Sequence, residues 1–398
     1  MKLSRKRILQ LFSLVTLLVV GLGSYTYFVG TSTLLQHAEA FSFRRMIVTQ
    51  QAEQGLFQFF YVSNRQPDVP DGEIEQRFTS ERENSLKFGY FNTRIEPSLG
   101  LGMIIDPSQW FLNEEIQLVD VQAQQKEVFL TALREQVQAS SYQSLLVVVH
   151  GFREGYPSAL RKTAFLAHVL DINTPVLVFD WPGDQGSSLR GYRRARQVAE
   201  ESGAELAHTL ELIIKEVQPE RLWLLANSMG GQVVADAFSL LHKDPDFGDS
   251  QTEIENVILT APDVDHETFN NRFRQDILDL AQNATVYVSS NDRALLVSRL
   301  INRGLRLGES TLDPANPGQL RPAAEYSKLL EPDSDRLALV DVTAVNRTRN
   351  FHNFSLETPE FFDDLFLRFT GTEMPKSREL YQLETPNGVR YFVLTRVR

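Results

Sequence analysis

The chain has 398 residues, 42% hydrophobic and 23% charged, which excludes wholesale disorder and fits a folded globular protein. Lys and Arg number 40 against 51 Asp and Glu, a net charge of −11, and four of the cations (Lys2, Arg5, Lys6 and Arg7) stand at the very start. The rest is therefore more acidic still, which argues against a nucleic-acid partner, since phosphate contacts need a positive surface. There is no cysteine, so disulfides, Cys-ligated zinc and thiol nucleophiles are excluded.

Residues Ile8 to Gly30 carry no charged side chain. About 20 apolar residues cross a hydrocarbon core of about 30 Å as a helix, and a basic cluster ahead of such a run favours a cytoplasmic N-terminus. The expectation is a signal-anchor over residues 1–30 and a linker over 31–55. The remainder would lie outside the cytoplasm, in the periplasm if the cell is Gram-negative. The competing reading is a signal peptide cleaved at Ala38-Glu39-Ala40. The apolar run is longer than the usual ~7–15 residues of a signal peptide and ends well before Ala38.

Residues 56–375 read as one α/β domain. Leu56 to Val62 and Leu86 to Arg94 look like strands separated by a polar stretch, and Gln125 to Gln138 like a helix. The strands within 56–140 are expected to be antiparallel additions to the sheet or a small cap. From Ser141 onward, short buried strands alternate with helices. The strands are Leu145 to Val149, Val176 to Phe179, Leu222 to Leu225, Val257 to Thr260, Thr285 to Val288 and Leu337 to Val345. Helical spacing covers Ser158 to Leu170, Arg193 to Val217 and Gly231 to Leu241. Such alternation implies a mostly parallel sheet with right-handed crossovers, and ligands at the carboxyl ends of its strands. Residues 376–398 read as a C-terminal hairpin about Pro386-Asn387-Gly388, because Asn-Gly favours a tight turn.

The segment Ala226-Asn227-Ser228-Met229-Gly230 joins a buried strand directly to a helix. This is a nucleophile elbow with Ala in place of the first Gly. What that position requires is small size, which Ala nearly meets. The turn places Ser228 Oγ at a helix N-terminus, where developing negative charge is favoured. An activated serine needs a base and a group to orient it, in the chain order Ser, acid, His. Three histidines follow Ser228. His242 ends the next helix, and His266 precedes any later strand that could present an acid. His352 follows the last core strand and is the expected base. Asp292 ends the strand from Thr285 and is the expected acid, with Asp263 and Asp265 as runners-up. Met229 and Phe152 should supply oxyanion amides, Gly151 letting the backbone bend close. His150 precedes the serine and reads as a structural, hydrogen-bonded residue. Gly151, Asn227, Trp181 and Tyr192, at or just beyond the strand ends, are expected to line the substrate pocket.

The segments Val-Val-Val-His-Gly-Phe, Phe-Asp-Trp-Pro-Gly, Leu-Leu-Ala-Asn-Ser-Met-Gly, Thr-Ala-Pro-Asp-Val-Asp and Tyr-Val-Ser-Ser-Asn-Asp-Arg-Ala-Leu occur in that order. Together they resemble a bacterial family of α/β-hydrolases of unknown function, described as esterase/lipase-like, over roughly Leu56 to Phe362. The resemblance implies an α/β-hydrolase fold with Ser228 as nucleophile, Asp292 as acid and His352 as base. The chain departs from the family in having Asn227 where His is usual, and Phe351-His352 where Gly-His is usual.

Arg190, Arg193, Arg194 and Arg196 form a local basic patch that reads first as a solvated helix start, and second as an anion site. Phe57, Phe59 and Phe60, with Phe361, Phe362, Phe366 and Phe369, read as core. The expectation is a membrane-anchored serine hydrolase acting on a small-molecule or lipid ester, with no metal or cofactor required. The alternative is a catalytically silent scaffold of the same fold, binding a partner at the cell envelope.

Overall fold

The Val- and Leu-rich runs form the middle of one sheet. The computed structural model describes residues 45–53, 55–70, 72–95, 116–244, 247, 254–289, 292–302, 304–308, 336–346, 352–371, 380–384 and 390–395. The expected anchor at 1–30, the Ala40 cleavage site and the Pro386-Asn387-Gly388 turn lie outside the described residues. Among the described residues, no helix is long and apolar enough to cross a membrane.

In chain order the strands are β1 (Leu56–Pro67), β2 (Phe78–Ile95), β3 (Ile116–Gln124), β4 (Ser144–Val149), β5 (Val176–Asp180), β6 (Arg221–Asn227), β7 (Ile254–Thr260), β8 (Ala281–Val288), β9 (Leu337–Asp341), β10 (Leu380–Glu384) and β11 (Arg390–Leu394). The longer helices are α1 (Lys126–Ala139), α2 (Tyr156–Leu170), α3 (Leu189–Leu212), α4 (Gly230–Leu241), α5 (Arg274–Leu280), α6 (Arg293–Asn302) and α7 (Pro359–Thr370). The sheet order is β10-β11-β9-β8-β7-β6-β4-β5-β1-β2-β3. From β11 through β9, β8, β7, β6, β4 and β5 to β1, every neighbouring pair is parallel. β2 runs antiparallel to β1 and β3, and β10 antiparallel to β11. This is the expected α/β-hydrolase class of sheet.

The central strands are apolar on both faces because both are covered. Leu145, Val147 and Val149 of β4 enter one core with Phe129 and Leu133 of α1, Leu206 and Leu210 of α3, and Val234 and Phe238 of α4. Leu146 and Val148 enter the other core, with Leu160 and Phe165 of α2 and Phe361 and Phe369 of α7. β4 has β5 on one side and β6 on the other. Its crossover α2 therefore lies on one face and the next crossover, α3, on the other. That reversal opens a crevice at the carboxyl ends of β4 and β6, where ligands bind in sheets of this kind.

Three elements differ from the reading of the sequence. β3 has no counterpart in it, being an edge strand with few buried side chains whose identity comes from its pairing with β2. β2 begins at Phe78, inside the polar stretch, because register shifts in β1 near Arg65 let the hairpin continue as a polar, half-exposed ribbon. The last core strand stops at Asp341, since Val345 N–H and Asn346 N–H both turn back to Val342 O. The C-terminal hairpin is present as β10 and β11, and it extends the main sheet through β11 and β9 rather than standing apart.

Candidate active site

Ser228 stands between β6 and α4 with φ +54°, a left-handed conformation that costs a residue with a Cβ roughly 1–2 kcal/mol. Its surroundings hold it there. Ser228 N–H donates to Thr260 O at 2.8 Å, and Ser228 O accepts from Gly231 N–H and Asp263 N–H, each at 3.0 Å. The helix start must pass very close to β4. A Cβ on Gly230 would sit 2.5 Å from His150 O and 2.6 Å from Val149 O, so only glycine fits. Ala226, wholly buried between β4 and β7, meets the size requirement at the first position of the motif.

The structure brings the three expected residues together from three separate loops. His352 Nε2 lies 2.9 Å from Ser228 Oγ, and His352 Nδ1 lies 2.7 Å from Asp292 Oδ2. A carboxylate only accepts, so Nδ1 carries the proton and Nε2 is left to accept from the serine hydroxyl. Asp292 is itself fixed: its Oδ1 accepts from Leu295 N–H at 3.0 Å, capping α6. Asp292 is 3% exposed and Ser228 6%, while the His352 side chain is 17% exposed. Burial pushes the His352 pKa down. The charge and hydrogen bond of Asp292, helped by the more distant Asp263, outweigh this and hold it above its ordinary value. Such a relay can take a proton from Ser228 and return it to a leaving group.

The loop after β4 lies against the serine, as expected: a Cβ on Gly151 would be 3.0 Å from Ser228 Cβ. Neither the Phe152 N–H nor the Met229 N–H is consumed by an acceptor among the described residues. His150 is structural. It is buried, with Nε2 3.2 Å from Asp180 Oδ1 and Nδ1 3.0 Å from Gly151 O.

Two expected pocket residues are not pocket residues. Trp181 is fully buried, stacked on His150, and its Nε1–H donates to His150 O at 2.8 Å. It supports the loop from behind and cannot touch a substrate. Tyr192 is buried, and its hydroxyl is committed to Asp263 Oδ2 and Ser298 Oγ, each at 2.8 Å. Burial and then the Asp263 charge push its pKa up to about 12. Its ring edge packs on Phe152 at 5.6 Å, so it buttresses the loop instead. Asn227 does face a recess, although its Oδ1 is occupied by Thr260 Oγ1 at 2.9 Å and Ser355 Oγ at 3.3 Å.

Two buried ion pairs that the sequence did not reveal frame the site. Asp263, a runner-up for the acid, is engaged by Arg306 Nε at 2.7 Å and Ser298 Oγ at 2.6 Å, and so is not the partner of His352. Asp265 caps a short turn through Thr268 N–H at 3.0 Å. On the other flank Arg65 reaches Asp180 at 2.9 Å and Asp184 at 2.6 Å, and donates to the carbonyls of Glu154 and Trp181. Burial pushes the Asp180 pKa up, but Arg65 and the contacts from His150 and Ser63 hold it below the usual carboxylate range. In the arginine cluster, Arg194 pairs with Glu81 at 2.6 Å, and Arg196 pairs with Glu200 at 3.3 Å. Half of that patch is thus internally neutralised. Among the described residues, no three His, Asp or Glu side chains converge as a metal site would need.

The family described as "Alpha/beta hydrolase of unknown function (DUF900)" matches this chain over residues 125–362. No curated protein resembles the chain closely enough to count as a match. Solved structures with a similar course include one designated a cell surface hydrolase, from Lactobacillus plantarum WCFS1. It is 10% identical with a TM-score of 0.31, covering 58% of this chain and 93% of its own. Another is the propionate-bound esterase Est2 from the Planctomycetes species Thermogutta terrifontis. It is 14% identical with a TM-score of 0.30, covering 59% of this chain and 86% of its own. At these values neither bears on what the present chain does.

Proposed function

The chain belongs to that family of α/β hydrolases, and on this premise we propose that it is a serine hydrolase cleaving a carboxylic ester through an acyl-enzyme. The observation that carries the reading is the continuous contact from Ser228 Oγ through both nitrogens of His352 to Asp292. His352 Nε2 takes the hydroxyl proton as Ser228 Oγ attacks the acyl carbonyl. The imidazolium that forms is stabilised by Asp292, and the oxyanion by the Met229 and Phe152 amides. Collapse of the tetrahedral intermediate breaks the bond to the alkoxy oxygen, which receives the proton from Nε2. Water then repeats the sequence on the acyl-enzyme, releasing the acid and restoring Ser228. The substrate class is a small-molecule or lipid ester. The uncharged run from Ile8 to Gly30 behind four cations supports a further part of the proposal: a single-pass anchor with the catalytic domain outside the cytoplasm.

Fluorophosphonate labelling of the full chain, purified in detergent and read by intact mass and peptide mapping, tests the chemistry. One adduct on Ser228 is expected, absent in Ser228→Ala and strongly slowed in His352→Ala. No adduct on demonstrably folded protein overturns the proposal in favour of the silent scaffold. Alkaline extraction and external protease on spheroplasts test the anchor. A chain that leaves the membrane fraction at high pH is not anchored.

A further inference from the structure

Under the loop that follows β4 lies a narrow recess, lined in part by Gly151, which packs against Ser228. Glu154 and Lys162, Asn227 and Asn353 form its polar wall, while Leu166 and Leu225 contribute to its apolar floor. A Cβ on the lining residue Gly151 would lie 3.0 Å from Ser228 Cβ, and Asn227 and Asn353 are the chain neighbours of Ser228 and His352, which brings the recess close to the nucleophile. Lys162 is also near enough to His352 to work against its protonation.

The cavity volume is about 40 Å3. A cavity of that size admits a small group of a few non-hydrogen atoms.

The chemistry of the wall narrows the choice of occupant. Lys162 Nζ is bound to Glu154 Oε1, and Ser158 Oγ donates to Glu154 Oε2 at 2.6 Å. Both charged side chains are mostly buried, at 20% and 14% exposed. Asn227 Oδ1 is already occupied, so this residue offers the recess its Nδ2 donors. A Cβ on Gly151 would lie 3.4 Å from that nitrogen. A plain alkyl chain would strip water from this pair and return no hydrogen bond, which is costly. A carboxylate would meet Glu154, which already holds the only cation in the wall. A hydroxyl both donates and accepts, so it suits the carboxylate of Glu154 and the amide of Asn227 alike.

We propose that this recess is the acyl subsite of the serine site, and that it selects short acyl groups carrying a hydroxyl. The inference rests on the serine-hydrolase reading above.

The test compares kcat/KM of the full chain on 4-methylumbelliferyl esters of butyrate, 3-hydroxybutyrate, succinate and octanoate. The hydroxybutyrate ester should be preferred over butyrate by about tenfold, with the succinate and octanoate esters poorer than either. In Glu154→Met, which removes the acceptor, and separately in Glu154→Ala, the hydroxybutyrate-to-butyrate ratio should fall towards one. If Ser228 is labelled by fluorophosphonate and the wild-type ratio is already near one, or octanoate is turned over as well as butyrate, the subsite is wrong and the serine reading stands. The same holds if the ratio survives both variants. If folded protein is not labelled at all, the two proposals fall together.

Discussion

Replacing Asp292 by Asn keeps the size of the side chain and changes only what it can do for His352. The carboxylate lies 2.7 Å from Nδ1, which puts the charge centres of the carboxylate and an imidazolium roughly 4 Å apart. At that separation two unit charges attract by about 4 kcal/mol at an effective dielectric of about 20. Losing this when the imidazolium forms corresponds to about three powers of ten in rate. The amide can also present its NH2 to Nδ1, which moves the histidine proton to Nε2 and leaves nothing to accept from Ser228. Together these predict a fall in kcat of about 10³–10⁴. The acid limb of the pH profile should move as well. In the wild type, activity rises with pH through a His352 pKa held above the ordinary ~6.5. In Asp292→Asn only burial remains as a strong influence, and the limb should shift below that value. The fold should be spared, because an asparagine oxygen can still accept from Leu295 N–H. The assay is kcat/KM from about pH 5 to 9 on an activated ester, beside melting curves. A variant within tenfold of wild type, with an unmoved acid limb, refutes the assigned partnership.

Arg65→Met leaves Asp180 charged and wholly buried without its partner, and should cost about 3–5 kcal/mol in a denaturant titration. A loss below ~1 kcal/mol means the pair is not the clamp described. Gly230→Ala forces a Cβ to within 2.5 Å of His150 O, so about 1–3 kcal/mol of stability and most of the Ser228 labelling rate should be lost; an unchanged melting temperature contradicts the close approach. The raised pKa of His352 means that the folded chain binds that proton more tightly than the unfolded chain does. Its contribution to stability is therefore full below about pH 6.5 and is lost as pH rises through the raised value. The stability difference between wild type and His352→Gln should shrink from about pH 5.5 to pH 8, and a constant difference contradicts this sign.

What could be read in the sequence was local, or ordered along the chain. Ser228 was legible because strand, turn and helix are consecutive there. Asp292 and His352 were legible because only a few residues of each type follow the serine at strand ends. Aromatic side chains beyond a strand end were not. Whether Trp181 faces substrate or core depends on a carbonyl 31 residues upstream, and the Tyr192 hydroxyl is claimed by residues 71 and 106 positions away. The same limit hid Arg65, which sits at the polar end of β1, 115 residues before its partner. The C-terminal hairpin had a local turn signal, but its docking onto β9 depends on an open sheet edge that no short-range pattern encodes.

The strained backbone at Ser228 bears on how this sequence is maintained. Folding alone would be served better by glycine there, since glycine adopts the left-handed region without a Cβ penalty. Ser228→Gly is accordingly expected to melt above Ser228→Ala, both lacking the hydroxyl. A lineage relieved of chemistry would drift towards the relaxed residue. On the proposed serine-hydrolase reading, the serine at this position is a standing stability handicap that the chemistry requires and the fold does not.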